Sequence, residues 1–117
     1  IDYIKKSHAL AGISLNPGTP FKEIRSFAYS ADIILVMGVE PGASGQETMF
    51  ETYDKVAEIY KFKVDNNLDF KIEFDGGVNE KNAGKLRDLG VDIIVSGSYV
   101  YNAKDRFKAI NILKGIE

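Results

Sequence analysis

The sequence predicts an α/β fold with a parallel sheet. Two observations lead there. Short β-branched runs alternate with longer stretches of 3.6-residue periodicity, and small or glycine residues cluster directly after each strand-like run. Four such βα units can be counted in the 117 residues.

The segment from Ile1 to Ser7 has helical spacing, with Ile1 and Ile4 followed by Lys5 and Lys6. The chain starts at Ile1 rather than Met, inside this pattern, which leads us to expect a piece of a longer polypeptide. The first strand is placed at about Ala11 to Leu15, closed by Asn16-Pro17-Gly18. Thr19 then caps a helix whose first turn holds Pro20 and whose apolar face carries Ile24, Phe27 and Ala28. Asp32 to Val39 reads as the second strand, because Ile33 to Met37 is an unbroken apolar run suited to a sheet buried on both faces. The loop Glu40-Pro41-Gly42-Ala43-Ser44-Gly45-Gln46 follows.

Met49, Tyr53, Val56, Ala57, Tyr60 and Val64 recur at three- and four-residue steps, predicting the longest helix, stopped at Asn66-Asn67. Phe70 to Phe74 is the third strand and runs into Asp75-Gly76-Gly77. Asn79 is expected to cap a short helix with Ala83, Leu86 and Leu89 inward, ended by Gly90. Val91 to Ser96 is the fourth strand, closed by Gly97-Ser98. The last helix, roughly Lys104 to Lys114, is expected to turn Phe107, Ile110 and Leu113 to one side, with Asp105 near its positive end. No linker or second domain interrupts the pattern.

A (β/α)8 barrel usually takes about 250 residues, and compact ones about 200, so four units make about half of one. An open four-stranded sheet fits the same pattern. The glycine-rich turns, however, all follow strands, which is the end where βα-barrels build their active face.

Composition narrows the partners. Lys and Arg number 15 against 17 Asp and Glu, a net charge of −2, which leaves no electrostatic footprint for nucleic acid or an anionic membrane surface. The longest apolar runs fall far short of the roughly 20 residues that span a bilayer. No secretory signal pattern opens the chain. With no cysteine, disulfides, thiolate metal sites and a cysteine nucleophile drop out, which fits a reducing, cytoplasmic setting.

Three loops share one design, Gly42-Ala43-Ser44-Gly45, Gly76-Gly77 and Gly97-Ser98. Glycine lets backbone N–H groups approach an anion, and a following helix start adds partial positive charge, so a phosphorylated small molecule is the natural ligand. Each loop alone reads first as a tight βα turn, and it is the three in register that shift the balance toward an anion site. Asp75, at the end of the third strand, can accept a proton, bind a metal, or serve as an Asx-type turn residue. Glu73 shares its strand face. Met37 lines a pocket floor or fills core, and Gln46 can donate its amide to a ligand or to the next helix. His8, the one histidine, precedes the first strand and so lies at the end away from these loops.

The series Gly12-Ile13-Ser14-Leu15-Asn16-Pro17-Gly18-Thr19-Pro20, Val36-Met37-Gly38-Val39-Glu40-Pro41-Gly42-Ala43-Ser44-Gly45-Gln46, Asp75-Gly76-Gly77-Val78-Asn79 and Gly97-Ser98 resembles the C-terminal half of the ribulose-phosphate 3-epimerase family. The resemblance implies that residues 1–117 are strands five to eight of a single (β/α)8 TIM barrel. It further implies interconversion of D-ribulose 5-phosphate and D-xylulose 5-phosphate through an ene-diolate, by two carboxylates and a divalent metal (Zn, Fe, Mn or Co). Asp75 matches the aspartate that is both metal ligand and one acid/base group. Ser44, Gly45, Gln46, Gly76, Gly77, Gly97 and Ser98 match the phosphate side, and Met37 a substrate-side methionine. A homo-oligomer is expected by the same analogy.

The chain departs from the family pattern at Gly38, Glu40, Ala43 and Ser44, where Ser, Asn, Phe and Gly are usual. The other ligands implied by the resemblance, two histidines, the partner aspartate and a serine, belong to strands one to three, so these residues alone are expected to be inactive. A six-carbon substrate such as allulose 6-phosphate, or a non-catalytic phosphate-binding half-barrel that pairs with its own copy, are the alternatives.

Overall fold

The computed structural model describes residues 1–42 and 45–116. Strands β1 (Gly12–Leu15), β2 (Ile33–Met37), β3 (Lys71–Asp75) and β4 (Ile93–Val95) form one parallel sheet in the order β1-β2-β3-β4. Helix α1 (Asp2–Lys6) precedes the sheet. Helices α2 (Glu51–Asp65) and α3 (Ala83–Leu89) make the second and third crossovers, and α4 (Ser98–Tyr101) and α5 (Arg106–Lys114) follow β4. No helix among the described residues is long and apolar enough to cross a membrane.

Successive strand residues point to opposite faces. Leu15, Ile34, Val36, Ile72 and Phe74 are therefore turned toward the helices and completely buried, joined there by Phe21, Val56, Ile59 and Leu86. The other face is uncovered. Its rows run across the strands as Ser14, Leu35, Glu73 and Ile93, then Met37, Asp75 and Val95. Among the described residues, strands β1 and β4 each pair on one side only.

Local structure departs from the sequence pattern in four places. The first crossover is two 3₁₀ segments, Phe21–Glu23 and Arg25–Tyr29, rather than one α-helix. Its N–H groups reach three residues back, from Ile24 to Phe21 and from Phe27 to Ile24, so the faces rotate and Phe27 is exposed while Phe21 and Ala28 are buried. On α2 the buried stripe is Thr52, Val56 and Ile59, and Ala57, Tyr60 and Val64 face solvent. Thr52 hides that stripe from a hydropathy reading, because its hydroxyl is satisfied by the Met49 carbonyl at 2.6 Å and so can be buried without penalty.

On α5 the inward residues are Ala109 and Leu113, while Phe107 and Ile110 are exposed. Arg87 of α3 donates to the carbonyls of Ile112 and Leu113, a cation at the negative end of α5. Asp105 caps the other end by accepting from Lys108 N at 3.0 Å. Finally, α3 starts after Asn82 rather than Asn79, whose carboxamide instead accepts from Lys81 N in the turn before it. Gly90 ends α3 in the left-handed conformation at φ 109°.

The lower edge of the sheet is sealed by one repeated device. Asp32, just before β2, accepts from the N–H of Ala11 at 2.8 Å, and Asp92, just before β4, accepts from the N–H of Ile72 at 2.9 Å. Each carboxylate also has a lysine 3.6 Å away, Lys5 and Lys63 respectively. Ala11 and Ile72 are buried, so without these acceptors their N–H groups would be dehydrated and unpaired. Asp32→Ala is expected to lower unfolding free energy by about 1–3 kcal/mol in urea titrations, with Asp32→Asn recovering part of the loss. Phe74→Ala, which empties the centre of the helix-covered face, is expected to cost about 3–5 kcal/mol in the same measurement.

Candidate functional site

All four strands point their C-terminal ends the same way, and the loops leaving β2, β3 and β4 enclose a cleft of about 880 Å³. Its floor is the last row of the uncovered sheet face. There Asp75, the final residue of β3, stands between Met37 on β2 and Val95 on β4. Among the described residues the Asp75 carboxylate has no hydrogen-bond or ion-pair partner, so it is available to a ligand.

Gly45, Gln46, Gly76, Gly77, Gly97 and Ser98 all border this cleft. Ser44 lies outside the described residues. The glycines are there for different physical reasons. A β-carbon at Gly76 would lie 2.8 Å from Val39 N, and one at Gly77 would lie 2.5 Å from Thr48 N, so these two are required where the loops after β2 and β3 press together. Both also have positive φ, at 134° and 70°. Gly97 has neither reason. Its φ is −105°, and a β-carbon there would meet nothing within 4 Å. The absent side chain leaves the cleft wall open at that point.

The N–H groups of Gly77 and Gly97 have no acceptor among the described residues, although both glycines line the cleft. Helix starts contribute less than the loop pattern suggests. Only Gly97-Ser98 leads directly into a helix, and α4 is a single turn; α3 begins six residues after Gly77. Any anion held here is therefore held by loop N–H groups rather than by helix dipoles.

The sequence pattern missed several cleft residues. Lys81 is the one basic side chain lining the cleft among the described residues, against four carboxylates, Glu40, Glu47, Asp75 and Glu80. The Ser96 hydroxyl is buried with no hydrogen-bond partner among the described residues and also borders the cleft; a hydroxyl ending the apolar run Ile93-Ile94-Val95 was the available signal. Tyr99, on the same wall, has its phenol pKa raised by desolvation, with the Glu80 carboxylate adding to the effect, so it remains a hydroxyl donor. Behind the rim, Lys55 of α2 donates to the carbonyls of Asn16 and Pro17 at 2.9 and 2.7 Å and so fixes the loop after β1. Burial lowers the Lys55 pKa, while Glu58 and Glu51 oppose that shift.

The model of the ribulose-phosphate 3 epimerase family matches residues 1–101. The ribulose-phosphate 3-epimerase of Helicobacter pylori (strain J99) is 37% identical over 116 residues, which cover 99% of this chain and 54% of that protein. The chloroplastic ribulose-5-phosphate-3-epimerase of Arabidopsis thaliana is 37% identical over 97% of this chain and 41% of its own length. The Bacillus subtilis (strain 168) ribulose-phosphate 3-epimerase is 36% identical over 98% of this chain and 54% of its own length. The chain thus spans about half the length of the curated relatives it matches, and its parallel four-stranded sheet is consistent with part of a TIM barrel. A family-model match over most of the chain, joined to a strand-end carboxylate ringed by glycine loops, places it in the ribulose-phosphate 3-epimerase family.

Proposed function

We propose that this chain is the C-terminal half of a (β/α)8 barrel that epimerises a phosphorylated ketose, interconverting D-ribulose 5-phosphate and D-xylulose 5-phosphate. One observation carries the reading: Asp75 and three glycine-bearing loops line a single cleft at the C-terminal end of a parallel sheet. The half-length match supports the rest, because the unpaired edges of β1 and β4 and the uncovered rows from Ser14 to Ile93 are what the other four strands would pair with and cover.

The phosphate binds against the loops. The Gly77 and Gly97 N–H groups donate to its oxygens, Ser98 adds a hydroxyl, and Lys81 supplies a positive charge on the α3 side. Gln46 closes the β2 side. With the phosphate anchored there, the ketose chain extends over Met37 toward the sheet floor, which brings the carbon beside the ketone to Asp75. The Asp75 carboxylate removes the proton from one face, the electron pair delocalises onto the carbonyl oxygen as an ene-diolate, and a second acid returns a proton to the opposite face. That second acid belongs to the complementary half of the barrel.

The family's activity generally depends on a divalent metal ion, which supplies Lewis-acid stabilisation of the ene-diolate oxygen when bound. Asp75 offers one carboxylate for it. Among the described residues no group of three or more His, Cys, Asp or Glu side chains could hold a metal, so the fit within this chain is incomplete.

Two outcomes are expected. The isolated chain binds inorganic phosphate in 31P NMR titrations yet shows no turnover in a coupled assay for xylulose 5-phosphate; turnover by the isolated chain would refute the half-site reading. Joined to the N-terminal half of the Bacillus subtilis relative, it gains turnover, and Asp75→Asn then lowers kcat by about 10²–10⁴-fold with phosphate affinity retained. Unchanged kcat in that variant would remove Asp75 from the mechanism.

A further inference from the structure

Asn82 stands at the N-cap of α3, yet its side chain makes no hydrogen bond to its own helix. It is turned toward the rim instead. The two hydrogens on its Nδ2 are shared among the Thr48 hydroxyl at 3.0 Å, the Tyr53 hydroxyl at 3.1 Å and the Gly77 carbonyl at 3.1 Å, and its Oδ1 accepts from Asn79 N at 2.9 Å. The amide's orientation follows from its partners. Asn79 N can only donate and the Gly77 carbonyl can only accept, so the oxygen must face the first and the nitrogen the second.

The chain of bonds continues in one direction. Thr48 Oγ accepts from Asn82 and donates in turn to the Gly76 carbonyl at 2.6 Å. The two carbonyls of the Gly76-Gly77 pair are therefore held by linked side chains, Gly76 by Thr48 of the β2 loop and Gly77 by Asn82 at the start of α3. A trans peptide is planar, with its C=O and N–H pointing in opposite directions. Fixing the Gly76 carbonyl on Thr48 therefore turns the Gly77 N–H away from Thr48, and fixing the Gly77 carbonyl on Asn82 does the same for the Val78 N–H. Gly77 and Val78 both line the cleft.

We infer that Asn82, acting through Thr48, is a positioning residue that aims the Gly77 and Val78 N–H groups at the phosphate of the substrate. This rests on the phosphate site proposed above. It also ties Thr48, in the segment before α2, to Gly76-Gly77 of the loop after β3. Tyr53, the third acceptor, is itself fixed by stacking on Phe74 at 6.5 Å between ring centroids.

The test uses the full 117-residue chain and inorganic phosphate, followed by 31P titration and by 1H–15N spectra well below each variant's melting temperature. In the unaltered chain, phosphate is expected to shift the Gly77, Val78 and Gly97 amide signals most. Thr48→Val and Asn82→Ala are expected to weaken phosphate binding by about tenfold, the size of one lost hydrogen bond to a charged group, while Thr48→Ser, which keeps the hydroxyl, restores it. Folded Thr48→Val and Asn82→Ala chains that bind phosphate within about twofold of the original would overturn the role of Asn82 and leave the phosphate site standing. Phosphate shifts confined to other amides would overturn it even if neither variant folded. Failure of the unaltered chain to bind phosphate at all would remove the site, and the positioning role with it.

Discussion

The parallel register of β2, β3 and β4 is the constraint on which everything else depends. Because Met37, Asp75 and Val95 pair as one row, three strands end at the same height, and the loops that leave them meet around Asp75. A shift of one residue in β3 would send Asp75 to the helix-covered face and bring Phe74 into the cleft. What prevents the shift is burial, since Ile72 and Phe74 are completely enclosed between the sheet and α2. The chemistry at the rim is thus held in place by apolar packing one residue below it.

The glycines illustrate how one residue type serves two needs in one site. Gly76 and Gly77 are demanded by the contact between neighbouring loops, and Gly38 by the Phe74 ring, which would lie 2.5 Å from a β-carbon there. Gly97 borders open space and is free of any such demand. Crowding builds one wall of the cleft and its absence shapes the other. The wall made by crowding is also the one bonded internally, through Thr48 and Asn82.

Much of this was legible in the sequence because it depends on short-range signals. The apolar run Ile33 to Met37, the Asp75-Gly76-Gly77 turn and the helix-ending Gly90 each carry their structural meaning within a few residues. What escaped depends on partners distant in the chain. The inward position of Thr52 rests on which side of α2 meets the sheet, and the exposure of Phe107 on how α5 sits against Arg87 of α3. The first crossover reads as a helix from its apolar spacing, yet the three-back hydrogen bonds at Ile24 and Phe27 tighten it into 3₁₀ turns. Thr48 and Asn82 lie 34 positions apart and have ordinary turn chemistry when read singly, so their shared bond was invisible before folding.

The carboxylates of Asp32 and Asp92 sit at the foot of the sheet, at the opposite pole from Asp75. Acidic side chains thus stand at both poles, bonded to backbone at the foot and without a side-chain partner among the described residues at the rim, with the full length of the strands between them. A change of charge at the mouth therefore leaves untouched the base on which the molecule stands.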